Sequence, residues 1–163
     1  LKLSTEKLKC RINFYRYLYG YLGKPALVYQ KEIEALSNQL LFDGKVELQF
    51  SSNENLQIES NFAKIIMCLV VIGEMNAIRG GVIIINIESA GKYYSARINI
   101  SGKGLRFEDN KRRILTEYQG MDDAGLETST VHEYYTRYLG EASKYKISIT
   151  HSEEEIEYYV QHI

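Results

Sequence analysis

Apolar residues recur at three-, four- and seven-residue spacing through the first 22 positions. Leu1, Leu8, Ile12, Tyr15, Tyr19 and Leu22 form one face of a helix, and Phe14 and Leu18 widen it. A face that wide on the first element implies a partner helix, from upstream or from another chain. Gly20, Gly23 and Pro25 break the helix. A second helix is expected over residues 26–41, with Val28, Ile33, Leu36 and Leu40 inward. Past the Asp43-Gly44 turn the period drops to two, and Val46, Leu48 and Phe50 alternate with polar residues as in a half-buried strand. Residues 60–78 are apolar nearly all round, which predicts a helix lying against a sheet, with Ser60 as its N-cap. Arg79-Gly80-Gly81 ends it, and strands follow over 82–87 and 94–100, joined at Gly91-Lys92. Then come a helix over 110–118, an acidic loop over 119–127, and a helix to 143 that opens on the capping-box pattern Thr130-Val131-His132-Glu133. A hairpin of strands over 145–150 and 156–162 closes the chain.

Helices and strands in this order predict an α+β sandwich. At 163 residues the chain can bury roughly two-thirds of its unfolded surface, and 45% hydrophobic with 25% charged residues is a globular composition. A net charge of −1 supplies no global basic field for nucleic acid or an acidic membrane. Cys10 and Cys68 read as reduced packing residues, and His132, His151 and His162 lack partners at metal-ligand spacing. The longest apolar run, residues 65–73, is about half of a bilayer span. With no secretory leader, a cytoplasmic setting is expected. The chain opens inside a helix at Leu1 rather than at Met, so further residues are expected before it.

A long apolar helix ending in Gly-Gly, a strand pair, the loop Ser101-Gly102-Lys103-Gly104 and a helix returning to a terminal hairpin together resemble the histidine-kinase ATP-binding fold (the GHKL or Bergerat fold). Active kinases of that fold present an asparagine for magnesium about two helical turns before the Gly-Gly, and an aspartate for the adenine amine before the Gly-x-Gly. The corresponding positions here are Ile72 and Ile100, followed by Gly102 and Gly104. Isoleucine cannot coordinate magnesium, which demands oxygen ligands, nor can it accept the amine hydrogen bond that offsets burying adenine's polar edge. Asn76 stands one turn further on, and the acidic stretch over 119–126 replaces a glycine-rich lid. ATP binding is therefore not expected.

The stretch Leu8 to Gly20 (LKCRINFYRYLYG), the helix ending in Arg79-Gly80-Gly81, and TSTVHEYYTRYLGEASKYKISI from Thr128 closely resemble the ChpT-type histidine phosphotransferases, across nearly the whole chain. That resemblance implies two parts: residues 1–24 as the second helix of a dimerisation hairpin, and residues 25–163 as a degenerate kinase-like domain. It implies a bacterial homodimer that relays phosphoryl groups from a receiver domain on a hybrid histidine kinase to response regulators, commonly in cell-cycle control. No cofactor of its own is implied, since magnesium belongs to the partner receiver. The family's phosphoacceptor histidine lies on the first hairpin helix and is followed by aspartate. No His-Asp pair occurs in this sequence, so the phosphoacceptor is expected upstream and no catalytic residue is assigned within the chain. An antiparallel hairpin would bring Asn13, Arg16, Tyr17 and Gly20 beside that histidine as a receiver-binding patch, with Arg16 placed to steady phosphoryl oxygens. His132 reads as a surface or capping residue, and His151 and His162 as solvent-facing strand positions. Lys111-Arg112-Arg113 beside Glu108-Asp109 reads as a solvated helix face, and Asp122-Asp123 as a plain loop. The alternatives are a diverged ATP-dependent kinase, or a docking module for two-component proteins that carries no phosphate.

Overall fold

The computed structural model describes residues 2–20, 27–117 and 127–163. Helix α1 (Lys2–Tyr19) is followed by strand β1 (Leu27–Tyr29), helix α2 (Gln30–Leu40), and strands β2 (Val46–Phe50) and β3 (Gln57–Glu59). Helix α3 (Ser60–Asn76) leads into the hairpin β4 (Gly81–Ala90) and β5 (Tyr93–Ser101). Helices α4 (Asp109–Thr116) and α5 (Val131–Ser143) precede the terminal hairpin β6 (Tyr145–His151) and β7 (Glu155–His162).

Five strands form one mixed sheet in the order β2-β4-β5-β7-β6. β2 runs parallel to β4, and the other pairings are antiparallel. The register stacks apolar residues across the sheet: Ile83 opposite Ile100, Ile85 opposite Ile98, Ile98 opposite Tyr158, Ile100 opposite Ile156. All of these are buried under the helical layer. Their neighbours on the outer face stay in water, where Arg97 reaches Glu157 at 3.1 Å and lies over the Tyr159 ring. The period of two read from the chain is this inside–outside alternation.

Helix α3 is the centre of the helical layer. Fourteen of its 17 residues are buried, and each large aliphatic among them contributes roughly 1.5–3 kcal/mol of burial. Gly73 lets it sit close to the sheet, since a Cβ there would lie 2.8 Å from the Ile100 side chain and 3.0 Å from Ile83. Ser60 is its first helical residue rather than its cap; Glu59 precedes it without a side-chain cap bond. α5 packs beside α3 over the sheet, and α4 reaches β6 and α5.

Residues 26–41 are not one helix. Leu27–Tyr29 pairs antiparallel with Gln57–Glu59 as a separate two-stranded sheet, and the helix begins at Gln30. Val28 points inward as expected, but from a strand. Tyr29 and Val28 favour extended backbone, and the pairing that decides the matter comes from residues about 30 positions away. The capping box also lies one turn earlier than read: Glu127 and Thr130 satisfy each other across a 3-10 turn at Thr128–Thr130, before α5 begins at Val131. The acidic stretch over 119–126 and Asp122-Asp123 lie outside the described residues. Among the described residues no helix is long and apolar enough to cross a membrane, and no cluster of His, Cys, Asp or Glu could hold a metal ion. Cys10 and Cys68 are free thiols, and burial pushes Cys68 up to about 12.

Candidate functional site

Helix α1 carries two apolar faces. On one, Phe14 and Leu18 are fully buried in the core. On the other, Leu8 and Ile12 stay 60% and 47% exposed, with Tyr19 at 40%. The expected single stripe is therefore split: Phe14 and Leu18 hold the helix to the domain, while Leu8 and Ile12 leave an open apolar edge.

Polar contacts fasten the C-terminal half of α1. Arg11 pairs with Glu74 of α3. The Tyr135 hydroxyl of α5 donates to the Leu18 carbonyl at 3.1 Å, and Lys64 Nζ of α3 donates to the Gly20 carbonyl at 3.3 Å. A lysine aimed at the last carbonyls of a helix satisfies acceptors left over there and opposes the helix dipole. His132 adds a further tie. Its Nδ1 is hydrogen-bonded to the Tyr19 hydroxyl, and its ring stacks on Tyr15 with centroids 6.0 Å apart. Burial, and then the Lys111 charge, hold the imidazole below its ordinary value, while burial raises the Tyr19 phenol. Both groups are thus held in their uncharged forms, and the hydrogen bond joins two neutral rings. His132 is neither a cap nor a free surface ring, but part of the joint between α1 and α5.

The residues picked out on α1 divide between its faces. Arg16 lines a shallow apolar groove with Ile12, Tyr15, Tyr19 and Gly20, and Asn13 is exposed one turn earlier. Tyr17 instead packs against the core, near Glu32, and burial pushes its phenol up to about 12. His162 stacks on Tyr93 at 3.7 Å and meets the edge of the Tyr145 ring, and His151 stacks on Phe107 at 4.2 Å. His151 is a solvent-exposed strand position, as expected, while His162 is half-buried.

A second concavity opens at the C-terminal end of α3. It encloses about 330 Å³ among α3, α4, the start of α5, Tyr158 of β7 and the loop from Arg106 to Glu108. Ile72 lines it. Ile100, by contrast, is fully buried beneath α3. Gly102 and Gly104 have a backbone role: Gly102 donates to the Glu154 carbonyl, and a Cβ on it would fall 2.6 Å from the Gly80 carbonyl oxygen. Gly104 has φ +61°, a conformation glycine adopts without strain.

The polar groups of this cleft were not legible as such in the chain. Glu133 is 1% exposed, with one carboxylate oxygen 4.0 Å from Lys111 and the other without a partner among the described residues. Burial raises its carboxyl above the ordinary range. Asn76 donates to the Tyr158 hydroxyl at 2.6 Å, both buried. Lys111 is therefore turned inward and is not part of a solvated face, whereas Arg112 and Arg113 pair with Asp109 and Glu117 along α4. The available signal was the spacing of Glu133 from Thr136 and Gly140, which places all three on the inward stripe of α5.

Comparison with known proteins bears on this architecture. Residues 30–155 match the family model described as the histidine phosphotransferase C-terminal domain. A bacterial phosphotransferase structure superposes with a TM-score of 0.83 at 22% identity, over 98% of this chain and 75% of that one. The histidine kinase AdeS of Acinetobacter baumannii gives 0.59 at 12% identity, over 96% and 75%. The catalytic domain of the histidine kinase ThkA gives 0.57 at 16% identity, over 85% and 95%. At such identities the likeness is one of fold, which is that of the histidine-kinase ATP-binding domain. No curated protein sequence matches the chain. With most of its length matched by that family model, the chain belongs to the histidine phosphotransferase family.

Proposed function

We propose that this protein is a phosphorelay intermediary. It takes a phosphoryl group from the receiver domain of a hybrid histidine kinase and passes it to response regulators, without binding ATP. The observation that carries this reading is the double face of α1: one side is locked into the kinase-like domain, and the other is an open edge of Leu8, Ile12 and Tyr19 with Arg16 beside it. A preceding helix that completes a hairpin, and the same hairpin of a second copy, would cover that edge as a four-helix bundle. The phosphoacceptor histidine belongs on that preceding helix. His132 is already committed to Tyr19 and Tyr15, which leaves it poorly placed for in-line attack.

In the transfer itself, the histidine nitrogen attacks the phosphorus of the receiver's aspartyl phosphate. The N–P bond forms as the P–O bond to the carboxylate breaks, and the carboxylate leaves with the electron pair. Such transfer depends mainly on positioning and on spreading the charge of the phosphoryl oxygens. A magnesium ion held by the receiver would neutralise part of that negative charge, and Arg16 at the groove would add a charge-assisted hydrogen bond. An aliphatic Ile72 in the cleft and a core-buried Ile100 support the absence of ATP chemistry. A cytoplasmic setting follows from these partners.

The test is phosphoryl transfer from a labelled receiver domain to the native-length protein, beside a variant with the first-helix histidine changed to alanine. Label on the native protein alone is the expected result. Arg16→Ala should slow transfer about tenfold or more, in keeping with loss of a charge-assisted hydrogen bond, while leaving the fold unchanged. If neither protein takes up label although the receiver binds, a docking module without phosphate is the correct reading.

A further inference from the structure

A third concavity, of about 450 Å³, lies between α2 and the loop that joins β2 to β3. It shares no residue with the α1 groove or the α3 cleft, and its size is within the range of small-molecule sites. The loop is tied to the start of the helix. The Gln30 amide donates to the Leu56 carbonyl at 2.8 Å, and the Lys31 amide donates to Asn55 Oδ1 at 3.1 Å. Gln30 itself lines the pocket and is only 2% exposed. Its Nε2 donates to the Ser52 carbonyl at 3.1 Å, which fixes the carboxamide, while its Oε1 has no partner among the described residues. A buried acceptor without a donor is costly unless something satisfies it. An occupant that brings an N–H to Gln30 therefore gains what the empty pocket lacks.

Charge and polarity narrow the class of occupant. Glu34 lines the pocket one helical turn after Gln30, and Glu54 lines it from the loop. Neither carboxylate pairs with Lys31 in the same lining, among the described residues. A simple cation would meet Lys31, and a simple anion would meet two carboxylates, so a ligand that carries both signs fits better than either. Ala35 is the sole apolar side chain among the described residues of the lining, and a large apolar body gains nothing there. Asn38 and Asn53 complete the wall, each with a carboxamide that both donates and accepts.

We propose that this pocket binds a free α-amino acid with a short carboxamide side chain. Its ammonium has three N–H donors, which serve Gln30 Oε1, Glu34 and Glu54. Its carboxylate accepts from Lys31 at the start of α2, where the helix dipole also favours negative charge. The side-chain carboxamide exchanges hydrogen bonds with Asn38 and Asn53.

Calorimetric titration of the native-length protein with L-asparagine tests this. The controls are succinamic acid and 3-aminopropanamide, which are asparagine without its amine and without its carboxylate, and L-alanine, which lacks the carboxamide. Saturable binding of asparagine, at least about tenfold tighter than of either truncated analogue and tighter than of alanine, is the expected result; a hydrogen bond to a charged group is worth that ratio or more. Glu34→Gln removes one charged acceptor at nearly constant volume and should weaken asparagine binding about tenfold or more. Ala35→Trp fills the pocket from an exposed helix position and should abolish binding in a protein whose circular dichroism is unchanged. No binding of asparagine, or binding that survives both substitutions, overturns the proposal. So does 3-aminopropanamide binding as tightly as asparagine, which would make the pocket a plain cation site, or alanine doing so, which would remove the side chain from recognition.

Discussion

At the scale of single residues, His132 and Glu133 are sequence neighbours with different fates. One successive step along a helix rotates a side chain by about 100°, so His132 faces α1 and Glu133 faces the cleft. Glu133 ties pH to stability. Its carboxyl is raised above its ordinary value of 4.5, first by burial, so the folded state holds its proton to higher pH than the unfolded state does. The contribution of that protonated form is fully present below about pH 4.5 and is lost as pH rises through the folded value. Glu108 opposes ionisation there and Lys111 favours it. Glu133→Gln should therefore raise the midpoint of thermal unfolding at neutral pH by about 2–4 °C, the shift expected for a gain of about 1 kcal/mol in a chain of this size. The gain should shrink to nothing near pH 4. A scan of melting temperature against pH checks it, and a gain that persists at acid pH would count against the burial explanation.

At the scale of elements, the glycines between strands respond to their neighbours. Gly80, at φ +93°, precedes β4 and Gly81 begins it where Lys45 and Ser101 crowd them, and Gly102 packs on that same turn. Gly102→Ala would place a methyl 2.6 Å from a backbone oxygen that has no side-chain freedom to yield. It should destabilise the fold by about 1–3 kcal/mol, the usual cost of overpacking, as read from urea unfolding. Gly91→Ala is the control with open space around its Cβ, and it carries only the strain of its positive φ, about 1 kcal/mol. The Gly-x-Gly spacing was legible in the chain as a turn. That Gly102 serves the Gly80-Gly81 turn could not be read there, because the two segments meet only when β4 pairs with β5. The same holds for β1, whose three residues pair with Gln57–Glu59 across an intervening helix and strand.

At the scale of the whole molecule, α1 joins a domain that is well packed to an edge that is not. The buried Phe14 and Leu18, the Arg11–Glu74 pair and the bonds to Leu18 and Gly20 keep the helix in place on the domain. Leu8 and Ile12 lie on the other face and stay largely exposed. Replacing both with lysine should leave the melting midpoint of the domain within about 1 °C, since exposed substitutions seldom change stability by more than about 0.5 kcal/mol. If the proposed four-helix bundle pairs two copies through this edge, light scattering should show the native-length protein as a dimer and the double-lysine variant as a monomer. A dimer that withstands both lysines would move the interface elsewhere and remove the bundle from the relay reading.

Local regularities of the chain were enough to determine most of its elements. The apolar run at 82–87 and the alternating residues at 94–100 became β4 and β5, and the apolar run from residue 60 became the central helix, because side-chain patterning and backbone geometry are short-range properties. The wide apolar face of the first helix likewise announced that it needed partners. Only the tertiary structure decided which apolar residues of α1 met the domain and which stayed open. It alone turned Lys111 inward, set Glu133 in a cleft and tied His132 to Tyr19. Those choices depend on contacts between residues as many as 113 positions apart, and no window along the chain contains both partners.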